Sequence, residues 1–289
     1  MLFRSRLPAF AAAFPTRARV SEPALPLLLA ALHEERGTGT LVVLPEDADA
    51  RDAADAAAWF LGDDQVALLP SRGVKVESGL EPPPHLVGER SRALHVLERG
   101  GLVCISAAAL AERVPPPGER TSALTISKGD EPGIDLLAES LAMAGYERVD
   151  RVEERGHFAV RGGLVDVFPT TGREPLRIEL FGDEIEGIRA FSPFTQRALR
   201  QVETATIQPA SERRRDLVEI TLPDDEEDDR VTARASEDLV PLLDRVPDVV
   251  WRIDDIRAVW EEEGLPEVDL EGATVLDSLP QGQPFSFDA

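Results

Sequence analysis

Two spacings of hydrophobic residues divide the chain. In its first part the apolar residues come in short runs, Thr40–Leu44 (TLVVL), Gln65–Leu69 and Gly101–Ser106, and these predict buried strands. Helices are expected over Pro26–Glu35, the alanine-rich Asp47–Leu61, Glu89–Glu98 and the short Ala107–Arg113, with a proline-rich loop around Pro82-Pro83-Pro84. Strands alternating with helices imply a mostly parallel sheet in an α/β fold.

After the linker Pro115-Pro116-Pro117-Gly118 the pattern changes. A strand is expected over Ala123–Lys128, a turn at Gly129–Pro132, and a helix over Ile134–Ala144 with Gly145 as its stop. Then His157–Arg161 alternates, and Leu176–Phe181 alternates more cleanly. These two stretches read as a hairpin followed by a third strand, with the turn and loop chemistry in Pro169–Pro175 between them.

Successive strand side chains point to opposite faces. Leu176, Ile178 and Leu180 therefore share a buried face, and Arg177, Glu179 and Phe181 share the other. With both apolar faces turned inward, Arg161, Arg177 and Phe181 look outward from one sheet. An exposed aromatic beside arginines is the composition of a protein-binding hot spot. Parity leaves a second reading equally open: Phe181 ends its strand under a loop, and the arginines are solvated or paired to Glu179.

From Arg213 onward three arginines lead into the acidic run Asp224–Asp229, which reads as a solvated loop. Helices are expected over Ser236–Val246 and Asp254–Glu263, with Trp260 packed inward, and Val249–Trp251 is expected to be a buried strand.

Composition narrows the function. At 289 residues the chain has room for two or three domains with separate cores. A net charge of −23 argues against broad non-specific binding to nucleic acid and against an anionic membrane surface. It is compatible with a protein partner that carries a basic patch. The single cysteine, Cys104, lies in an apolar run and reads as a buried strand thiol. The four histidines show no ligand spacing, so no metal and no cofactor are expected. The N-terminal MLFRSRLPAFAAAFPTRARV is read as an amphipathic cytoplasmic segment, because Pro8 and later arginines break its apolar run. A cytoplasmic location and no membrane partner follow from that reading. No nucleophile–base pair stands out; Asp166, Asp183 and Glu184 read as strand-end or turn carboxylates.

The stretches GHFAVRGGLVDVFP, PLRIELFGDEIEGIRAF and TQR carry a long, nearly gapless resemblance. They resemble the module shared by the bacterial transcription-repair coupling factor (Mfd) and the excision-repair subunit UvrB, the part of both that binds UvrA. The resemblance implies that Arg161, Arg177 and Phe181 are UvrA-binding residues. It also implies three parts: 1–122 as the first part of a degenerate UvrB-like α/β domain, 123–210 as an inserted α+β UvrA-binding module, and 211–289 as the second part of the α/β domain.

A helicase-type ATPase of this class needs G-x-x-x-x-G-K-[ST] ahead of its first long helix, where backbone N–H groups and the lysine cradle phosphate. The corresponding Phe14–Pro23 holds no glycine and no lysine, and Glu22 would repel phosphate. The run Gly37-Thr38-Gly39-Thr40 lacks the lysine and leads into a strand. The expected fold is therefore a degenerate helicase-like (RecA/UvrB-type) parallel-sheet domain lacking a phosphate loop. That defect resembles the coupling factor rather than UvrB. The expected function is a non-catalytic region that recruits UvrA to lesion-stalled RNA polymerase in nucleotide excision repair. RNA polymerase and DNA would be reached only through C-terminal domains of the full-length family protein, of which this chain is expected to be a fragment or a truncated relative. The alternatives are a divergent UvrB-like ATPase that loads DNA, and a purely structural or autoinhibitory domain.

Overall fold

The structure is a computed structural model that describes residues 17–74 and 82–213, with the strand segments 219–221, 232–234, 248–251, 274–278 and 285–287. The helices expected over 236–246 and 254–263, Trp260, the acidic run 224–229 and the N-terminal segment before residue 17 lie outside the described residues.

In chain order the elements are β1 (Arg17–Val20), α1 (Leu25–Arg36), β2 (Thr40–Leu44), α2 (Asp47–Leu61), β3 (Val66–Leu69), α3 (Pro84–Glu98), β4 (Leu102–Ser106) and α4 (Ala107–Ala111). There follow β5 (Leu124–Ser127), α5 (Ile134–Met143), β6 (Glu147–Arg148), β7 (His157–Arg161), β8 (Leu164–Val167), β9 (Leu176–Phe181) and β10 (Glu184–Phe191). The remainder is β11 (Ala198–Val202), β12 (Thr204–Ile207), β13 (Glu219–Thr221), β14 (Thr232–Arg234), β15 (Asp248–Trp251), β16 (Thr274–Ser278) and β17 (Phe285–Phe287).

The chain forms two compact units: Met1–Ser71 with Arg92–Val114 and Val240–Ala289, and Arg72–Ser91 with Pro115–Leu239. The first is α/β. Its sheet runs in the order β17-β1-β16-β15-β2-β4-β3, parallel except for the edge strand β17. Every residue of β2, β3 and β4 is buried, because apolar side chains pack on both faces. Val42, Leu102 and Cys104 join Leu28, Leu29 and Ala57 in one core. Leu41, Val103 and Ile105 join Leu94 and Leu110 in another. Alternate residues of one strand thus enter different cores. Helix α2 opens with a capping box between Glu46 and Asp49 and buries small alanines at 50, 53, 54 and 57. At the end of α1, Gly37 takes φ +63°, the left-handed conformation a helix stop requires. His33, buried on α1, shares a hydrogen bond between Nδ1 and Thr40 Oγ1 at 3.1 Å, and burial lowers its pKa.

The second unit is built on a six-stranded sheet, β11-β10-β9-β8-β7-β6, antiparallel except for the short β6–β7 pair. One face is apolar: Phe158, Val165, Ile178 and Ile188 pack with Leu137 and Leu141 of α5. Behind it the Tyr146 hydroxyl donates to Gln208 O at 2.6 Å and accepts from Thr170 N–H at 3.2 Å. Burial pushes that phenol up to about 12, against the smaller opposing effect of the bond from Thr170. Arg72 and Arg90, in a stretch assigned by sequence to the first α/β part, belong to this unit, where Glu212 pairs with Arg72 at 3.0 Å and with the fully buried Arg90. Because β15 and β16 pair with β2 and β1, the stretch between β4 and β15 is inserted in the chain of the α/β unit.

One expectation needs correction. His157–Arg161 and Leu176–Phe181 do not pair as a hairpin; β8 lies between them and pairs with both. The tight turn is Gly162-Gly163, where Gly162 takes φ +58° and a Cβ on Gly163 would come within 2.8 Å of Leu180 O. The turn chemistry of Pro169–Pro175 closes the β8–β9 connection instead.

Candidate protein-docking face

The register of β7, β8, β9 and β10 determines what lies on the face opposite the core. Asp166 is opposite Arg177, Arg177 is opposite Arg189, and Glu184 is opposite Phe181. Arg161 ends β7 at the same parity as Ala159, which is opposite Asp166. Arg161, Asp166, Arg177, Glu179, Phe181 and Arg189 therefore share one face of one sheet. Of the two readings open on parity, the tucked Phe181 fails: its ring is 76% exposed. An isolated exposed apolar residue is ordinary. An exposed phenylalanine in a row of arginines on a formed sheet has the composition of a recognition surface.

The arginines are held differently from one another. Arg177 donates from Nε and Nη2 to the two carboxylate oxygens of Asp166, each at 2.7 Å, in a side-on bidentate pair. Its Nη2 also donates to Gln196 Oε1 at 3.3 Å, and its guanidinium carbon lies 4.7 Å from the centroid of the Phe191 ring. The bond to Asp166 raises the guanidinium pKa above its ordinary value, outweighing the lowering by burial. Arg189 pairs with Glu179. Arg161 is exposed, and its Nη2 donates to the backbone oxygen of Asp150. The charges of Arg177 and Arg189 are thus each met by a carboxylate, while that of Arg161 is met by no carboxylate among the described residues.

Sequence reasoning brought Arg161, Arg177 and Phe181 to one face but misplaced the partner of Arg177. Asp166 is not a strand-end carboxylate; it lies within β8, 4% exposed, and it is the residue that holds Arg177. The missing signal was the alternation Leu164-Val165-Asp166-Val167, which, with Gly162-Gly163 as a two-residue turn, puts Asp166 at the parity of Arg161. Arg189 and Gln196 were also missed, since nothing local in the sequence shows what lies across a strand pair.

In the α/β unit, the connection from β1 to α1 is a single 3-10 turn, Glu22–Ala24, with prolines at 23 and 26 that lack an N–H. It borders a groove of about 1090 Å³ that also carries Glu46, Asp49, Asp52 and the exposed Trp59. Residues 14–16 of the expected phosphate-loop position lie outside the described residues. Among the described residues no group of three or more His, Cys, Asp and Glu side chains is placed to hold a metal ion, and no helix is long and apolar enough to cross a membrane.

Residues 124–212, the span from β5 to the residue that binds Arg90, match the family model of the UvrB interaction domain. The chain is 32% identical over 290 residues to the transcription-repair-coupling factor of Mycobacterium tuberculosis, covering 93% of this chain and 22% of that protein. It is 30% identical over 198 residues to the transcription-repair-coupling factor of Bacillus subtilis, covering 68% and 17%. With that of Escherichia coli it shares 30% identity over 188 residues, covering 64% and 16%. The chain thus spans no more than 22% of the length of these relatives. These matches bear out the resemblance to the N-terminal UvrB-like region of the transcription-repair coupling factor.

Proposed function

We propose that this chain is a recruiting region without chemistry of its own, and that its antiparallel sheet docks UvrA through Arg161, Arg177 and Phe181. The observation that carries this reading is the joint placement of these residues: Phe181 stands 76% exposed on the face where Arg177 is locked by Asp166, within the segment that matches the UvrB interaction domain. A buried bidentate partner keeps Arg177 in one orientation, so less side-chain entropy is lost when a second protein meets it. Phe181 supplies apolar area at the end of the same strand. Arg161 supplies the guanidinium not matched by a carboxylate, suited to an acidic or carbonyl-rich edge of the partner.

The α/β unit fits a degenerate relative of a helicase-type nucleotide-binding domain. Its sheet is parallel except at the edge strand β17, whereas Glu22 and Pro23 occupy the strand-to-helix turn, and Pro26 the first turn of α1, where a phosphate cradle needs N–H donors. In this reading the translocase activity and the RNA polymerase and DNA contacts of the full-length protein belong to regions beyond this chain, which hands UvrA to the lesion. The test is a calorimetric titration of the chain with UvrA from the same organism, with ATP and DNA as controls. Binding that is weakened about tenfold or more but still measurable in Arg177→Ala and in Phe181→Ala, with the melting temperature nearly unchanged for Phe181→Ala, supports the reading. No binding by the unsubstituted chain favours a structural or autoinhibitory domain, and ATP turnover would make it an ATPase.

A further inference from the structure

The turn between β10 and β11, residues 192–197, lies at the opposite end of β10 from Phe181 and exposes Phe194 by 90%. The turn is tightly built. Gln196 N donates to Ser192 O at 2.8 Å, Ser192 N to Arg197 O at 3.0 Å, and Thr195 N to Ser192 Oγ at 3.2 Å. Gln196 takes φ +60°, alone in the positive-φ region among the described non-glycine residues. A glutamine held in that conformation is strained, and such strain persists where the surroundings require the side chain in one place. Here the requirement is visible: Gln196 Nε2 donates to Pro193 O at 2.9 Å, and Gln196 Oε1 receives Arg177 Nη2 at 3.3 Å. Because the guanidinium of Arg177 is on the outer face, the amide that reaches it folds the turn over that same face. A second tie comes from the β6–β7 loop, where Arg151 Nη2 donates to Pro193 O at 3.3 Å and Phe194 O at 3.5 Å. The neighbouring Asp150 O receives Arg161. Arg161, the 150–151 loop, the 192–197 turn and Arg177 are thus linked through hydrogen bonds into one surface, with Phe181 at one end and Phe194 at the other.

We propose that the 192–197 turn is the second anchor of the docking face: Phe194 enters an apolar pocket of the same partner that receives Phe181, and Gln196 is a positioning residue that ties Arg177 between the two anchors. This rests on the reading of the face as a UvrA-docking surface. The chemistry asked of the partner is two apolar depressions flanking a polar stretch that meets guanidinium groups. Arg177 to Phe181 alone spans roughly 13 Å of extended strand, so the two depressions are separate sites. The rigid turn matters for affinity, because an exposed aromatic on an ordered backbone loses little freedom when it docks.

The experiment titrates UvrA into the full chain and into the Phe194→Ala, Phe194→Leu, Gln196→Asn and Arg177→Ala variants and the Gln196→Asn/Arg177→Ala double variant, with Phe181→Ala beside them. Phe194→Ala is expected to weaken binding about 10- to 30-fold at unchanged melting temperature, and Phe194→Leu to recover part of the loss. Asn tolerates the left-handed conformation but is one methylene short of Arg177. Gln196→Asn is therefore expected to weaken binding, and its effect to vanish in the Arg177→Ala background, a coupling that a merely structural role would not produce. Binding lost with Phe181→Ala but changed less than about threefold by Phe194→Ala overturns this proposal and leaves the docking reading intact. Additive effects of Gln196→Asn and Arg177→Ala overturn the positioning role. No binding by the unsubstituted chain overturns the docking reading and this one together.

Discussion

The two sheets use the same kinds of residue to opposite ends. In the parallel sheet, every residue of β2, β3 and β4 is buried, and neighbouring side chains alternate between two cores. In the antiparallel sheet, β9 buries Leu176 and Ile178 and leaves Phe181 to solvent. Helices on both faces of a parallel sheet consume its side chains for stability, whereas the outer face of the antiparallel sheet is covered only in part, burying Ala159 and Asp166 while leaving Arg161 and Phe181 exposed. The candidate binding residues are on that partly covered face.

The largest effects should separate the sheets by parity. Leu102→Ala and Ile105→Ala, which remove side chains from different cores, should each cost about 2–5 kcal/mol of stability. In β9 only one face should respond: Ile178→Ala about 2–5 kcal/mol, Phe181→Ala within about 0.5 kcal/mol. Chemical denaturation followed by circular dichroism reads both, and a Phe181→Ala cost equal to that of Ile178→Ala breaks the comparison.

Next come the two ion pairs of the face opposite the α5 core. Asp166 is almost fully buried beside Arg177, so Asp166→Ala should cost about 2 kcal/mol by leaving a half-buried guanidinium unpaired. The Arg189–Glu179 pair is 40% and 30% exposed, and Glu179→Ala should cost less than about 1 kcal/mol. Equal costs in denaturant would mean that the face does not distinguish a positioned arginine from a solvated one.

A sharper probe of the covered side is Tyr146, the one tyrosine of the chain. Its ionisation, followed by phenolate absorbance, should be displaced to about pH 12 in the folded chain. A phenol raised by folding stabilises the fold fully below its ordinary value of 10.0, and that contribution is lost as pH rises toward about 12. Tyr146→Phe should remove the titration and cost about 1 kcal/mol through the lost bonds to Gln208 and Thr170. A midpoint near 10 would show that the α5 side is open to water.

The smallest effect belongs to the α/β unit. His33 is lowered by burial below 6.5, so the folded state prefers the neutral ring. Its contribution is present above that pH and is lost as pH falls below it. His33→Asn should flatten the acid side of the stability profile, and an unchanged profile would mean that the folded ring takes up its proton as readily as the unfolded one.

Much of this was legible without coordinates. Helix α2 has the bounds that its alanine spacing predicts, β2 has the bounds of its apolar run, and β3 and β4 each start one residue inside theirs. The parity of Leu176–Phe181 placed Arg177 and Phe181 on the polar face because a strand side-chain period of two is a local property. What the sequence could not show was which strands become neighbours. That β8 separates β7 from β9, that Asp166 meets Arg177, that Gln196 folds back over the sheet, and that β15 and β16 return past an insertion to join β2 and β1 were decided only by the tertiary structure. Periodicity depends on a few consecutive residues, whereas pairing depends on the balance of loop closure and burial over the whole chain.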